Sequence, residues 1–85
     1  MNFQVDALIQ VGYDMWTKIQ DYTDAAIYNE RSFLHAERQM AREQFAMADA
    51  HRKDFDAFYD TILKPMGLAE RLDEMISERF EIMAA

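Results

Sequence analysis

From Tyr13 to Lys64 the chain runs 52 residues without a glycine or proline, and apolar residues recur through that run at helical spacing. Counted in heptads from Val5, the a positions are Val5, Gly12, Ile19, Ala26, Phe33 and Met40. The d positions are Leu8, Met15, Tyr22, Asn29 and Ala36. A largely apolar seam that keeps its register this long predicts coiled-coil-like packing. Fully helical, the run would be about 78 Å long at ~1.5 Å per residue, and it cannot bury its own stripe. The phase does not slip at the polar stretch 21–29, which favours one continuous helix. If the chain turns there instead, Thr23, Asp24 and Asn29 are the candidate N-caps of a second helix.

Beyond Met40 the stripe becomes Met40, Gln44, Met47, His51, Phe55, Phe58 and Ile62, an eleven-residue repeat. That repeat predicts a straight or right-handed supercoil and a change of packing geometry near residue 40. Pro65 lacks an amide donor and biases Lys64 away from the helical region, and Gly67 supplies turn freedom. Leu68, Leu72, Met75, Ile76, Phe80 and Met83 then share one face of a short helix over about 68–83. That face is expected to dock on the cluster at 55–63 of the same chain or a neighbour. The fold class is all-α: one long amphipathic helix over about 3–63, straight, bent or hairpinned, a joint at 64–67, and the short C-terminal helix. The whole is one helical domain over residues 1–85, packed as a coiled coil or bundle in an oligomer.

Composition narrows the function. There is no cysteine, hence no disulfide framework or thiol chemistry. No apolar stretch approaches the ~20 residues of a membrane span. The segment MNFQVDALIQ has no basic residue ahead of its apolar part, unlike a signal peptide, so synthesis and folding inside a cell, without secretion, are expected. Of the net charge of −7, residues 1–29 carry −3, residues 30–53 carry +1 and residues 54–85 carry −5. Acidic ends repel nucleic acid and anionic lipid, so an anionic partner would have to meet the middle.

That middle holds Arg31, His35, Arg38 and Arg42, stacked on one helix face opposite the seam. An acidic protein surface is the expected contact of Arg31, Arg38 and Arg42, with nucleic acid the lesser option. His51 and Asp54 would seed a metal site only if several chains converged; no metal and no cofactor is expected. Ser32 and Ser77 have no histidine at useful spacing, and no glycine-rich phosphate loop is present, so no catalytic residues are assigned. Seven methionines suit an adaptable interface, and Gly12 and Ala26 allow close helix approach. Asn29 is the kind of buried polar group that selects register. The expected oligomer interface is Val5, Leu8, Met15, Ile19, Tyr22 and Phe33, continuing through Met40, Met47, Phe55, Phe58 and Ile62.

Residues 30–50, ERSFLHAERQMAREQFAMADA, and 55–70, FDAFYDTILKPMGLAE, resemble segments of bacteriophage internal virion and DNA-ejection proteins. The likeness lies in Gln39, Met40, Gln44, Phe45 and Met47. It continues in the aromatics Phe55, Phe58 and Tyr59, which run into Pro65, Met66 and Glu70. This chain is far shorter and lacks their glycine-rich stretches. The resemblance implies an assembly role in a phage particle, made in the host cytoplasm, and no active site. The first reading is therefore a non-enzymatic structural protein that self-associates or docks on other virion proteins. The alternative is a small acidic inhibitor or adaptor that occupies a basic protein site.

Overall fold

A computed structural model describes residues 3–84, with side chains from 3 to 82. Three helices follow one another: α1 (Phe3–Glu30), α2 (His35–Phe58) and α3 (Ala69–Ala84), with α2 extended by a π-helical turn, Tyr59–Leu63. Helix takes up 89% of the described residues, and no strand occurs among them. Against the usual third, that makes the fold all-α. The longest dimension is 51 Å, well short of one straight helix over the breaker-free run, because the chain folds back on itself. No helix is long and apolar enough to cross a membrane among the described residues.

The reversal falls at residues 31–34, not within 21–29, and it corrects the expectation of one continuous helix. No glycine or proline makes this turn. The Ser32 N–H donates to the Asn29 carbonyl (3.2 Å), and the Leu34 N–H donates to Ser32 Oγ (3.1 Å). From the first turn of α2, Arg38 Nη1 reaches back to the Ser32 and Phe33 carbonyls (3.1 and 2.8 Å). Leu34 sits at the N-cap in an extended conformation without a side-chain cap bond. The expected caps are engaged elsewhere or idle. Thr23 Oγ1 donates to the Ile19 carbonyl inside α1, a back-bond that helices tolerate. Asn29 Nδ2 donates to Gln44 Oε1 (2.8 Å) across the hairpin, so it fixes register between two helices of one chain. Asp24 is exposed within α1.

Inside the hairpin, α1 buries Gly12, Ile19 and Ala26 at successive a positions. Opposite them α2 buries Ala41 and Ala48, with Gln44, His51 and Phe55 half-buried between and beyond. The α2 seam therefore steps by three and four and does not follow the eleven-residue repeat. It is one residue out of the Phe33–Met40 register, so the phase does slip at the turn. Small residues on both sides let the backbones approach, which leaves Met40 and Met47 no room and turns them to the outside.

At the far end, the Lys64 N–H donates to the Tyr59 carbonyl (2.9 Å), five residues back. The extra residue in this widened turn rotates the face by about 100°, so Leu63 points inward and Ile62 outward. Lys64 keeps helical angles (φ −61°, ψ −50°) despite the following proline; the reversal comes at Gly67, with φ +73°. The Leu68 N–H donates to the Leu63 carbonyl and the Gly67 N–H to the Lys64 carbonyl. This is a Schellman motif, and its usual apolar contact is the Leu63–Leu68 pair at the centre of the core.

α3 then runs alongside α1 in the same direction. Ile9, Leu63, Leu68 and Leu72 form the buried cluster, with Phe55, Phe58, Tyr59, Met75 and Ile76 packed around it. At roughly 1.5–3 kcal/mol per fully buried large side chain, this cluster is the main reason for α3 to dock. Met83, counted on the docking face from its spacing, lies outside the described side chains. Arg71 Nη2 meets Asp6 Oδ1 at 2.9 Å, an exposed pair of small value. Phe80 stands edge-on to Trp16 at 5.6 Å.

Candidate assembly surfaces

α3 covers one side of the hairpin, through Asp6, Tyr13, Trp16 and Thr17 of α1. At 3.6 residues per turn, Leu8, Val11, Met15, Tyr22 and Asn29 lie on the other side of α1. On α2, Met40, Gln44, Met47 and His51 follow at spacings of four, three and four, which places them on one face. Two contacts join these runs into one surface: the Asn29–Gln44 hydrogen bond and the Tyr22 ring stacked on His51 at 5.3 Å. Met40 is 49% exposed, Met47 44% and Val11 46%, while Leu8, Met15 and Tyr22 are half-buried. The surface runs along the hairpin, alternates the exposed apolar side chains Val11, Met40 and Met47 with the polar Asn29, Gln44 and His51, and has nothing over it among the described residues.

Charge is distributed along the long axis. Near the hairpin tip, Arg31 and Arg42 are exposed and make no ion pair among the described residues. Arg38 clamps the turn instead. At the other end, Glu70, Asp73, Glu74, Glu78 and Glu81 line a shallow surface on α3. Arg79 is turned inward from that surface: its guanidinium lies 5.6 Å from the Trp16 ring centre and donates to Thr17 Oγ1 (3.3 Å) and the Tyr13 hydroxyl (3.4 Å). The Tyr59 hydroxyl donates to both Asp73 carboxylate oxygens (3.0 and 3.2 Å). Burial first, then the Asp73 bond and charge and the Asp60 charge, raises its pKa above the ordinary tyrosine value. Lys64 Nζ lies 5.4 Å from the same ring centre.

The residues singled out by spacing divide into four groups. Ile19 is spent inside the hairpin, and Val5, Leu8, Phe55 and Phe58 pack against the core cluster. Met15 and Tyr22 edge the uncovered face, with Met40 and Met47 on it. Phe33 stands at the tip, 98% exposed, and Ile62 is displaced by the π-turn. Leu68, Leu72, Met75 and Ile76 dock within the chain. Ala41 and Ala48 were not singled out, although their heptad spacing was a usable signal. Among the described residues no charged or polar residue is buried, and no three metal-ligating side chains gather closely enough to hold an ion. Comparison of the chain with protein-family models, with curated proteins and with solved structures finds no match. The functional reading accordingly starts from the surface itself.

Proposed function

We propose that the protein is a non-enzymatic assembly module whose hairpin pairs, through the uncovered Met40–Met47 face, with a second copy of itself. The observation that carries this is the uncovered face opposite α3, where exposed Val11, Met40 and Met47 stand beside the d positions Leu8, Met15, Tyr22 and Asn29. In a helical bundle a and d positions together face the shared core, so d positions left at the edge of a hairpin are the part of the seam that a further helix would cover. Methionines at the contact suit a surface that adapts to its partner. The resemblance to phage internal virion proteins supplies the setting: a small component built into a particle.

Sedimentation at micromolar concentration tests the pairing. The wild type should form a species of twice the 10.0 kDa chain mass. Met40→Lys/Met47→Lys should be single, with unchanged helicity, because both positions are exposed in the lone chain. A wild type that stays single overturns the reading. A second reading has its own observation, the carboxylates along the outer face of α3: an acidic inhibitor or adaptor for a basic protein site. A compact single chain that binds a basic protein through Glu74 and Glu78 would favour it.

A further inference from the structure

We infer that protonation of His51 controls the pairing of the hairpins, so that copies associate at neutral pH and separate in mild acid. The inference rests on the assembly reading and adds a switch to the Met40–Met47 face. His51 continues the row of Met40, Gln44 and Met47 on α2. Its ring lies nearly parallel to that of Tyr22 on α1, with centres 5.3 Å and planes 16° apart. The stack holds a half-buried imidazole on the uncovered face, which a second copy would enclose.

Histidine is the side chain whose ordinary titration, near pH about 6.5, changes its charge between neutrality and mild acid. Asn29 and Gln44, the other polar groups of the face, are uncharged and hydrogen-bonded to each other. The antiparallel register sets Tyr22 against His51 and Asn29 against Gln44. It brings Lys18 and Asp21 of α1 and Asp54 of α2 within about a turn of the imidazole. All three are exposed, and none forms an ion pair with His51. In the single chain, water therefore solvates the imidazolium. Under a second copy that hydration is lost, which disfavours the charged form. Tyr22 stacks on the ring in the single chain already, so its attraction for the cation does not set the sign. The pair thus holds fewer protons than two single copies, and association weakens as pH falls. Release of one proton from each copy sets the limit, about a 100-fold fall in the association constant between pH 7.5 and 5.5.

Sedimentation equilibrium of the full chain at pH about 7.5 and about 5.5, in about 0.15 M salt to screen overall charge, tests the switch. The wild type should pair about 10- to 100-fold more weakly at the lower pH, with unchanged circular dichroism. His51→Gln should pair alike at both. His35→Gln should keep the wild-type response, because His35 is exposed at the start of α2, off the face. A second readout needs no variant: by nuclear magnetic resonance, the His51 ring protons should titrate at lower pH in concentrated protein than in dilute. Pairing of equal strength at both pH values overturns the switch and leaves the pairing intact. A pH response that His51→Gln retains, or a His51 titration independent of concentration in protein that pairs, also overturns it. So does a pair that tightens in acid through His51, which would place a carboxylate of the second copy against the ring. A wild type that stays single at both pH values overturns this inference together with the pairing.

Discussion

Gly12 is where three parts of the fold meet. A Cβ added there would lie 3.0 Å from Leu72 Cδ2, 3.1 Å from Leu63 Cδ1 and 3.5 Å from Phe58 Cε1. Two effects compete in Gly12→Ala. Helix propensity favours alanine by about 1 kcal/mol at an unhindered position. Overpacking a tight core costs about 1–3 kcal/mol. Leu63 and Leu72 are both 0% exposed, so neither methyl has solvent to move into, and α3 itself must shift. Overpacking should win, with a net loss of about 1 kcal/mol, or about 4–8 °C in Tm for a domain of this size. Urea unfolding should show a lower midpoint at unchanged slope. Trp16, the single tryptophan, reports α3 independently through its edge contact with Phe80, and its emission should shift to the red. Leu72→Ala alone should cost about 2–5 kcal/mol. In that background Gly12→Ala should become stabilising, because the space it needs has been opened, and neighbours that share a site couple in this way. Should Gly12→Ala instead stabilise the wild type by the full propensity gain, with Trp16 emission unchanged, α3 does not pack on this face and the core described above is wrong.

Other expectations follow from single contacts. Gly67→Ala places a side chain at φ +73° and should cost about 1–2 kcal/mol in thermal unfolding through local backbone strain, with nothing added by the rest of the fold, since no atom beyond its chain neighbours lies within 4 Å of the new Cβ. Asn29→Ala removes the bond to Gln44 and should cost about 0.5–1.5 kcal/mol, a loss that Gln44→Ala should not double. Tyr59 keeps its proton to higher pH folded than unfolded. Its contribution is therefore complete below pH about 10 and is lost as pH rises through the folded value. Tyr59→Phe should flatten the alkaline limb of a stability–pH curve.

Much of the helical content was legible because breaker residues are few and the heptad spacing is strong. Gly12, Ile19 and Ala26 are buried where the a positions put them, and Leu68, Leu72, Met75 and Ile76 meet the 55–63 segment within one chain. The turn was not legible. It uses Ser32 and an arginine six residues later, a pairing that no local turn signature carries, and the heptad count ran straight through it. The core face of α2 was misjudged by one residue for a related reason. A hydropathy pattern favours Met40 and Met47 over Ala41 and Ala48, whereas close backbone approach favours the alanines. The π-turn repeats the error at Ile62 and Leu63, since an inserted residue shifts the face without changing composition. Of the candidate surface, the methionines were visible as apolar residues. Their outward placement depends on the hairpin and could not be seen before it.

Methionine oxidation tests the central claim most directly. Met40, Met47 and Met66 are about equally exposed in the single chain, at 49%, 44% and 50%, but Met66 lies at the 64–67 joint, off the uncovered face. Dilute protein treated with peroxide should oxidise all three at similar rates. At concentrations where copies pair, Met40 and Met47 should be protected while Met66 continues to react. Equal oxidation of the three at every concentration would contradict the account, because the face assigned to a second copy would then be open to water.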